Sequence, residues 1–149
     1  MVYIFIYFVF KPETITNTQL SNLVKNLPSK EEIISGIFKA MNSRDFSEIE
    51  PFMADTVEFD FPGAGCMAGK KRVILFLKAL LRKYSELVFS VSEIIIESER
   101  ACAIWSNKGR DSNGHAYENR GVTYIRFADD TIVYLSDYFK DTSFTLVKS

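Results

Sequence analysis

The sequence predicts an α+β domain in which a long antiparallel sheet wraps around a few helices. Helical patterns and one short strand occupy residues 30–84, and residues 87–139 then read as four consecutive long strands. Helices that precede such a run of strands are typical of α+β domains, in which the helices cover one face of the sheet. The length of 149 residues suits one domain of this kind with a substantial core.

Residues 1–28 are expected to lie outside this domain. The first ten residues are apolar, but Lys11 and Pro12 end the run, whereas a transmembrane helix needs roughly twenty such residues. The basic start and small-residue cleavage site of a secretory signal are also missing. Two interpretations stay open: a short strand that a sheet edge or partner chain covers, or an extension of little structural value from an upstream start codon. Residues 11–28 are polar and are predicted to be a linker.

Two main helices are predicted, at residues 30–41 and 70–84. Ser29 and Glu32 have the spacing of a capping box, in which each side chain accepts a hydrogen bond from a free backbone N–H of the first turn. The first helix then carries an apolar stripe made of Ile33, Ile34, Ile37, Phe38 and Met41. Such a stripe indicates one buried face. A further short helix is expected to begin at Asp45 and to end near a proline.

Five strands are predicted from alternating apolar and polar residues. The first covers residues 57–61 and is followed by a loop over residues 64–69. The other four are predicted at residues 87–97, 100–108, 117–127 and 131–139. The segments 111–114 and 129–130 are rich in Asp, Asn and Gly and are expected to form hairpin turns between the later strands.

The last predicted strand carries a single carboxylate on its apolar side. Alternation places Val133, Leu135, Asp137 and Phe139 on one face. Taking an unpaired carboxylate out of water costs several kcal/mol, so Asp137 must be paired, protonated or in contact with a wet cavity. The cavity interpretation makes Asp137 a candidate acid, base or ligand anchor. A structural carboxylate held by a helix N-terminus or a polar side chain is the alternative.

Charge and cysteine content restrict the kinds of partner. The formal net charge is −1 and no run of five like charges occurs, so the basic face that nucleic acid requires is not indicated. Cys66 and Cys102 are far apart, which predicts neither a disulfide scaffold nor a zinc site but free buried thiols. We therefore expect a cytoplasmic protein with no nucleic acid, membrane, metal or cofactor partner.

Aromatic residues, at 14% of the chain, are numerous enough to build a core and also to line an apolar pocket. The candidate ligand-binding residues are Phe59, Phe61, Trp105, Asn119, Thr123 and Phe139. Trp105 suits a core position as well as a ligand platform. Asn119 and Thr123 share one face of their strand, as pocket donors or as ordinary cross-strand pairs. The only histidine, His115, is expected to be a solvated loop residue.

Several short motifs occur in an order and spacing typical of one superfamily. They are MNSRD at residues 41–45, FMADTVEF at 52–59, FPG at 61–63, Gly69 with the helix after it, GHAYEN at 114–119 and the segment 132–141. Together they resemble the nuclear transport factor 2-like superfamily, in particular its SnoaL-like and ketosteroid isomerase-like members. The resemblance covers about residues 31–144 and defines a SnoaL-like domain at residues 29–149. It implies a cone-shaped barrel, a curved antiparallel sheet wrapped around about three helices, with a pocket inside.

The catalytic machinery of the different members is matched only in part. Ketosteroid isomerase-like members use an aspartate base, a tyrosine and a protonated aspartate. The resemblance puts Phe61, Ile37 and Thr123 at those positions, which disfavours that machinery. Epoxide hydrolase-like members need an Asp and an Arg on a middle strand, and residues 103–107 contain neither. SnoaL-like cyclases use an aspartate on the last strand as general acid/base, and Asp137 matches it, although Thr123 stands where they have a histidine.

The resemblance thus favours a SnoaL-like small-molecule enzyme of the isomerase, cyclase or dehydratase type. Its substrate would be apolar and partly oxygenated, and Asp137 would be the general acid/base. The alternatives are a non-catalytic binder of a small ligand in the same pocket and a dimeric assembly module. For assembly, Tyr124, Tyr134 and Tyr138 would form the outer face of the sheet, through which we expect a homodimer because many members pair there.

Overall fold

The computed structural model of the chain describes residues 16–25 and 27–141. The helices are α1 (Asn17–Lys25), α2 (Lys30–Ser43) and α3 (Lys70–Leu81), with a short 3-10 helix at Glu50–Phe52. The strands are β1 (Met53–Phe61), β2 (Gly65–Ala68), β3 (Tyr84–Glu97), β4 (Arg100–Asp111), β5 (Ala116–Ala128) and β6 (Thr131–Phe139). This confirms the predicted α+β class. The apolar segment 1–10 lies outside the described residues, so its interpretation stays a prediction.

The six strands form one open sheet in the order β2-β1-β6-β5-β4-β3. Four neighbouring pairs are antiparallel, as expected, but β1 and β6 run parallel, with Phe59 opposite Leu135. The sheet is therefore mixed rather than wholly antiparallel, and it does not close into a complete barrel. A parallel pair needs a long connection, and here α3 and three long strands separate β1 from β6 in sequence.

Two segments predicted to lack regular structure are ordered. Residues 65–68 were expected to lie in a loop but form β2, in which Met67 pairs with Phe59 of β1. Within the predicted linker, Asn17–Lys25 is helical. Helix α3 ends at Leu81, three residues before the predicted end, because β3 already begins at Tyr84.

The predicted capping box at the start of α2 is present. The backbone N–H of Glu32 donates to Ser29 Oγ at 3.2 Å, and the backbone N–H of Ser29 donates to Glu32 Oε2 at 2.7 Å. These bonds satisfy donors that the helix itself leaves free and set the point at which α2 begins. Helices α2 and α3 then bury their apolar faces against the sheet, through Ile33, Ile34, Phe38, Val73, Leu77 and Leu81.

A register shift in β6 decides which side chains face the helices. Arg126 of β5 pairs with Tyr134, but the next residue, Phe127, pairs with Ile132, so Val133 is skipped. Ile132 is consequently fully buried, whereas Val133, which alternation placed on the apolar face, is only half-buried. Beyond the shift the alternation is regular, and Asp137 points to the inner face of the sheet.

The outer face of the sheet carries the predicted aromatic residues. Tyr124 and Tyr134 contact each other edge to face at 6.2 Å between ring centroids, and the Arg126 guanidinium lies 4.4 Å from the Tyr134 ring centroid. Tyr138 is 62% exposed. The predicted homodimer through this face stays a prediction.

Two further expectations concern thiols and membranes. Both cysteines are free, as expected, but Cys66 is exposed and Cys102 is half-buried, so neither is the buried thiol that was predicted. Among residues 16–25 and 27–141, no helix is both long and apolar enough to cross a membrane.

Candidate functional site

A small cavity lies between the helices α2 and α3 and the inner face of the sheet. The space open to the centres of water molecules is about 60 Å³, which holds a few waters, since one water needs roughly 10–15 Å³. Its apolar walls include Ile37, Phe59, Phe61, Phe89, Trp105 and Phe139. Its polar side chains are Tyr84, Asn107, Tyr117, Asn119, Thr123 and Asp137. The structure therefore brings Asp137 and all six predicted pocket residues to one cavity.

Aromatic rings pack edge to face around the cavity. Phe139 lies between Phe61, at 5.3 Å between centroids, and Trp105, at 5.5 Å. Phe89 of β3 also contacts Trp105, at 5.4 Å between centroids. Such contacts add to the burial energy of each ring and hold the rings in fixed orientations. The walls are consequently rigid and apolar.

A directed hydrogen-bond chain leads to Asp137. Trp105 Nε1 donates to Thr123 Oγ1 at 2.9 Å, and Thr123 Oγ1 donates to Asp137 Oδ1 at 2.6 Å. The β5–β6 register sets this up, because Thr123 is directly opposite Asp137. An indole N–H can only donate, so the threonine oxygen receives that hydrogen and must give its own to the carboxylate. The donors and acceptors of these two hydrogen bonds are thereby fixed, and Asp137 Oδ1 is an acceptor.

The environment of Asp137 favours the protonated carboxyl group. Desolvation by the surrounding walls raises its pKa from 3.8 to about 7, while the hydrogen bond from Thr123 acts in the opposite direction. No described residue makes a hydrogen bond to Asp137 Oδ2. Since Oδ1 accepts from Thr123, the acidic proton belongs on Oδ2. Near neutral pH the group can therefore either give or take a proton there.

The side chain of Asn119 is hydrogen-bonded to the protein backbone, which its place in the sequence did not show. Its Nδ2 donates to the backbone oxygen of Asp141 at 2.8 Å, and its Oδ1 accepts from the backbone N–H of Asp141 at 3.1 Å. The amide thus attaches the chain after β6 to β5, which leaves it less available to a ligand than we predicted.

Tyr84 is another polar side chain of the cavity. Burial raises the pKa of Tyr84, helped by the neighbouring Tyr117, so this phenol stays neutral.

Sequence reasoning missed Asn107. It lies on β4 directly opposite Asn119, two residues after Trp105 and on the same face, and it is 5% exposed. Its Oδ1 is buried and has no hydrogen-bond partner among the described residues. The signal was available, because alternation along β4 places residue 107 on the side of Trp105.

The remaining titratable candidates lie elsewhere. His115 is exposed, as expected, and its Nδ1 lies 3.2 Å from Asp111 Oδ2 within the hairpin turn. Across the part of the chain that the structure describes, no three His, Cys, Asp or Glu side chains cluster in a way that suits a metal ion.

Solved structures with the same fold are numerous but distant in sequence. A protein of unknown function from Burkholderia pseudomallei, described as NTF2-like, is 21% identical, with a TM-score of 0.69 over 76% of this chain and 92% of that chain. A putative SnoaL-like polyketide cyclase from Jannaschia sp. CCS1 is 14% identical, with a TM-score of 0.68 over 74% of this chain and 85% of that one. TerC, co-crystallised with polyporic acid, is 18% identical, with a TM-score of 0.69 over 77% and 94%.

Family membership follows from the sequence itself. No curated protein matches the chain significantly. The family model of the SnoaL-like domain matches residues 34–135. This range includes most of α2, all of β1 and α3, and the rest of the sheet as far as Leu135 of β6. This match spans more than half of the chain, and the solved structures above share its fold. The chain therefore belongs to the SnoaL-like domain family, and it has the fold of the NTF2-like proteins of known structure.

Proposed function

We propose that this protein is a small-molecule enzyme of the isomerase, cyclase or dehydratase type, with Asp137 as its general acid/base. The observation that carries the proposal is a carboxyl group with a pKa of about 7 on the wall of an apolar cavity. A proton-transfer group is most effective when its pKa lies near the working pH. A carboxyl group reaches that range only in a special environment, which is more common at functional sites than elsewhere.

Proton transfer at Oδ2 is a step that these reaction types share. In its carboxylate form, Asp137 takes a proton from a C–H bond next to a carbonyl group, and the electron pair of that bond moves to the carbonyl oxygen as an enolate forms. The protonated carboxyl then returns the proton to another atom. Thr123 holds Oδ1 in place during both halves. No described lining residue is a second carboxylate or a histidine, so one group has to serve both.

The walls indicate the kind of substrate. Aromatic and aliphatic side chains form most of the cavity, so the substrate should be largely apolar, with a carbonyl or hydroxyl oxygen near Asp137. Phe59, Phe61, Trp105 and Phe139 would supply the apolar contacts. The co-crystal of TerC with polyporic acid supports a small organic ligand for this fold.

Hydrogen–deuterium exchange tests the chemical step without knowledge of the natural substrate. In D₂O, the protein should accelerate deuterium incorporation next to the carbonyl of 2-tetralone, an apolar bicyclic ketone, as measured by NMR. The rate should rise with pH and level off above about pH 7, as the carboxylate forms. Asp137→Asn should lower it by roughly a hundredfold or more. Asp130→Asn makes the same chemical change in the exposed β5–β6 turn and should have no effect.

A non-catalytic binder is the second candidate. Thr123 and Trp105 already use their hydrogen-bond donors within the protein, in the chain that leads to Asp137. Among the described residues this leaves no second group to exchange protons with Asp137, which favours a binder. A binder would give no exchange with 2-tetralone or related ketones, and Asp137→Asn would then change ligand affinity alone. An assembly role through the aromatic outer face is compatible with either candidate.

A further inference from the structure

The side-chain oxygen of Asn107 is a polar atom that the fold does not use. The side chain is more than nine-tenths buried and lines the cavity, and its Oδ1 has no hydrogen-bond partner among the described residues. Buried amides are almost always paired, because an unpaired one loses its bonds to water without replacement. The Asn119 amide directly across the strand pair shows the usual outcome, since both of its ends are bonded to Asp141. A buried amide oxygen without a partner in a cavity wall indicates that a hydrogen-bond donor is missing.

Asn107 and Asp137 lie at opposite ends of the cavity. Asn107 is opposite Asn119 on β5, whereas Asp137 is opposite Thr123 on the same strand. Those two β5 positions are four residues apart, which corresponds to about 13 Å along a strand. The cavity therefore has two hydrogen-bonding ends, and only the Asp137 end can titrate near neutral pH.

The indole of Trp105 forms a flat apolar surface between these ends. Its Nε1 is bonded to Thr123, and its six-membered ring lies over Gly121, where an added Cβ would be 2.8 Å from the ring atom Cζ2. The same Cβ would lie even closer to the backbone oxygen of Tyr138 on β6, so glycine is required here both by the strand pairing and by the position of the ring. A flat apolar body could lie along the indole and extend from one polar end to the other.

We propose that Asn107 is a second ligand-binding subsite, which pairs with a hydroxyl or N–H group at the far end of a flat, elongated and largely apolar ligand. The near end of that ligand lies at Asp137. The amide offers a buried acceptor, Oδ1, so the matching ligand group is a donor. The flat face of the Trp105 indole also favours a flat ligand over a globular one, because a flat body contacts more of that face. This inference deepens the proposed function, because it uses the same cavity, but it requires binding and not turnover.

Two matched probes test the subsite: 2,6-dihydroxynaphthalene, with a hydroxyl at each end, and 2-naphthol, with one. The chain has one tryptophan, so the indole N–H signal of Trp105 in a ¹⁵N–¹H NMR titration reports directly on the cavity. The wild type should bind the diol about tenfold more tightly than 2-naphthol. In Asn107→Leu, which is similar in volume but cannot accept a hydrogen bond, the two affinities should become equal. Ser106→Ala, at an exposed neighbouring position, should keep the tenfold ratio.

The outcomes separate this inference from the catalytic proposal. A ratio unchanged by Asn107→Leu would mean that a water molecule satisfies the amide and would overturn the subsite, as would a failure of either probe to bind. If the protein does not accelerate deuterium exchange into 2-tetralone but still prefers the diol, the catalytic proposal is refuted and the subsite stands. Asp137→Asn should keep the Asn107-dependent preference. If Asn107→Leu does not fold, Asn107→Ala provides the same comparison.

Discussion

Replacing Asp137 by Asn should remove most of a pH dependence in the protein's stability. Asn has almost the same shape and can still accept the hydrogen bond that Thr123 donates to Oδ1. It cannot ionise, however. Burial in the folded state holds the pKa of Asp137 at about 7, against 3.8 for the ordinary group, so the folded state binds more protons than the unfolded state between these values. Wild-type stability should accordingly fall as the pH rises from about 4 to about 7, and then level off.

The size of this effect follows from the pKa difference. The shift from 3.8 to about 7 corresponds to roughly 4 kcal/mol over the whole range, at about 1.36 kcal/mol per unit. About two of these units lie above pH 5, so wild type should lose about 2 to 3 kcal/mol between pH 5 and pH 8 from this group alone. That is a large part of the total stability of a typical domain, about 5–15 kcal/mol.

Urea denaturation at about pH 5 and pH 8 measures the free energy of unfolding for each variant. The difference between the two pH values should be about 2 to 3 kcal/mol smaller in Asp137→Asn than in wild type. The contributions of the groups that the two proteins share are the same and cancel in this comparison. Asp130→Asn, in the exposed turn, should behave like wild type. If the free energy of unfolding depends on pH in the same way in wild type and Asp137→Asn, the raised pKa of Asp137 is refuted, and with it the catalytic proposal.

Three other substitutions probe the same site and the outer face. Thr123→Val removes the bond that lowers the Asp137 pKa, so carboxyl ¹³C NMR should show that pKa rising further, and the orphaned indole N–H of Trp105 should cost about 1–3 kcal/mol of stability in urea denaturation. Gly121→Ala places a methyl group against the backbone oxygen of Tyr138 and 2.8 Å from the Trp105 ring, so it should cost about 3 kcal/mol or more in urea denaturation and shift the indole NMR signal. Sedimentation should show a dimer at micromolar concentration that Tyr138→Glu converts to a monomer; a wild-type monomer would count against the outer-face interface.

Local patterns were sufficient to predict most of the elements and the central site residue. The capping box fixed the start of α2 because both of its partners lie within four residues of each other in sequence. Asp137 was recognisable because a carboxylate on an apolar strand face is costly wherever that strand is placed. Its link to Thr123 was also foreseeable, since neighbouring strands bring such residues within a side-chain length.

Features that depend on distant pairing were not predictable in the same way. The segment that forms β2 has no strand pattern of its own and becomes a strand because β1 offers it a partner edge. A register shift between β5 and β6 buries Ile132 in place of Val133. It arises from the pairing of the two strands, so alternation within β6 alone cannot reveal it. The commitment of Asn119 to Asp141 depends on where the chain turns after β6. For Asn107, the pattern gave the correct face but not the absence of a partner.

A ligand in the cavity would change the proton affinity of Asp137 through two opposed effects. Removing water from around the carboxyl group raises its pKa further, which favours the acid form. A ligand hydroxyl that donates to Oδ2 stabilises the carboxylate and lowers the pKa. Since the starting pKa is about 7, either effect is sufficient to decide the protonation state near neutral pH. The chemistry of the ligand itself would then determine whether Asp137 begins as an acid or as a base, so a single carboxyl group can serve both halves of a proton-transfer reaction.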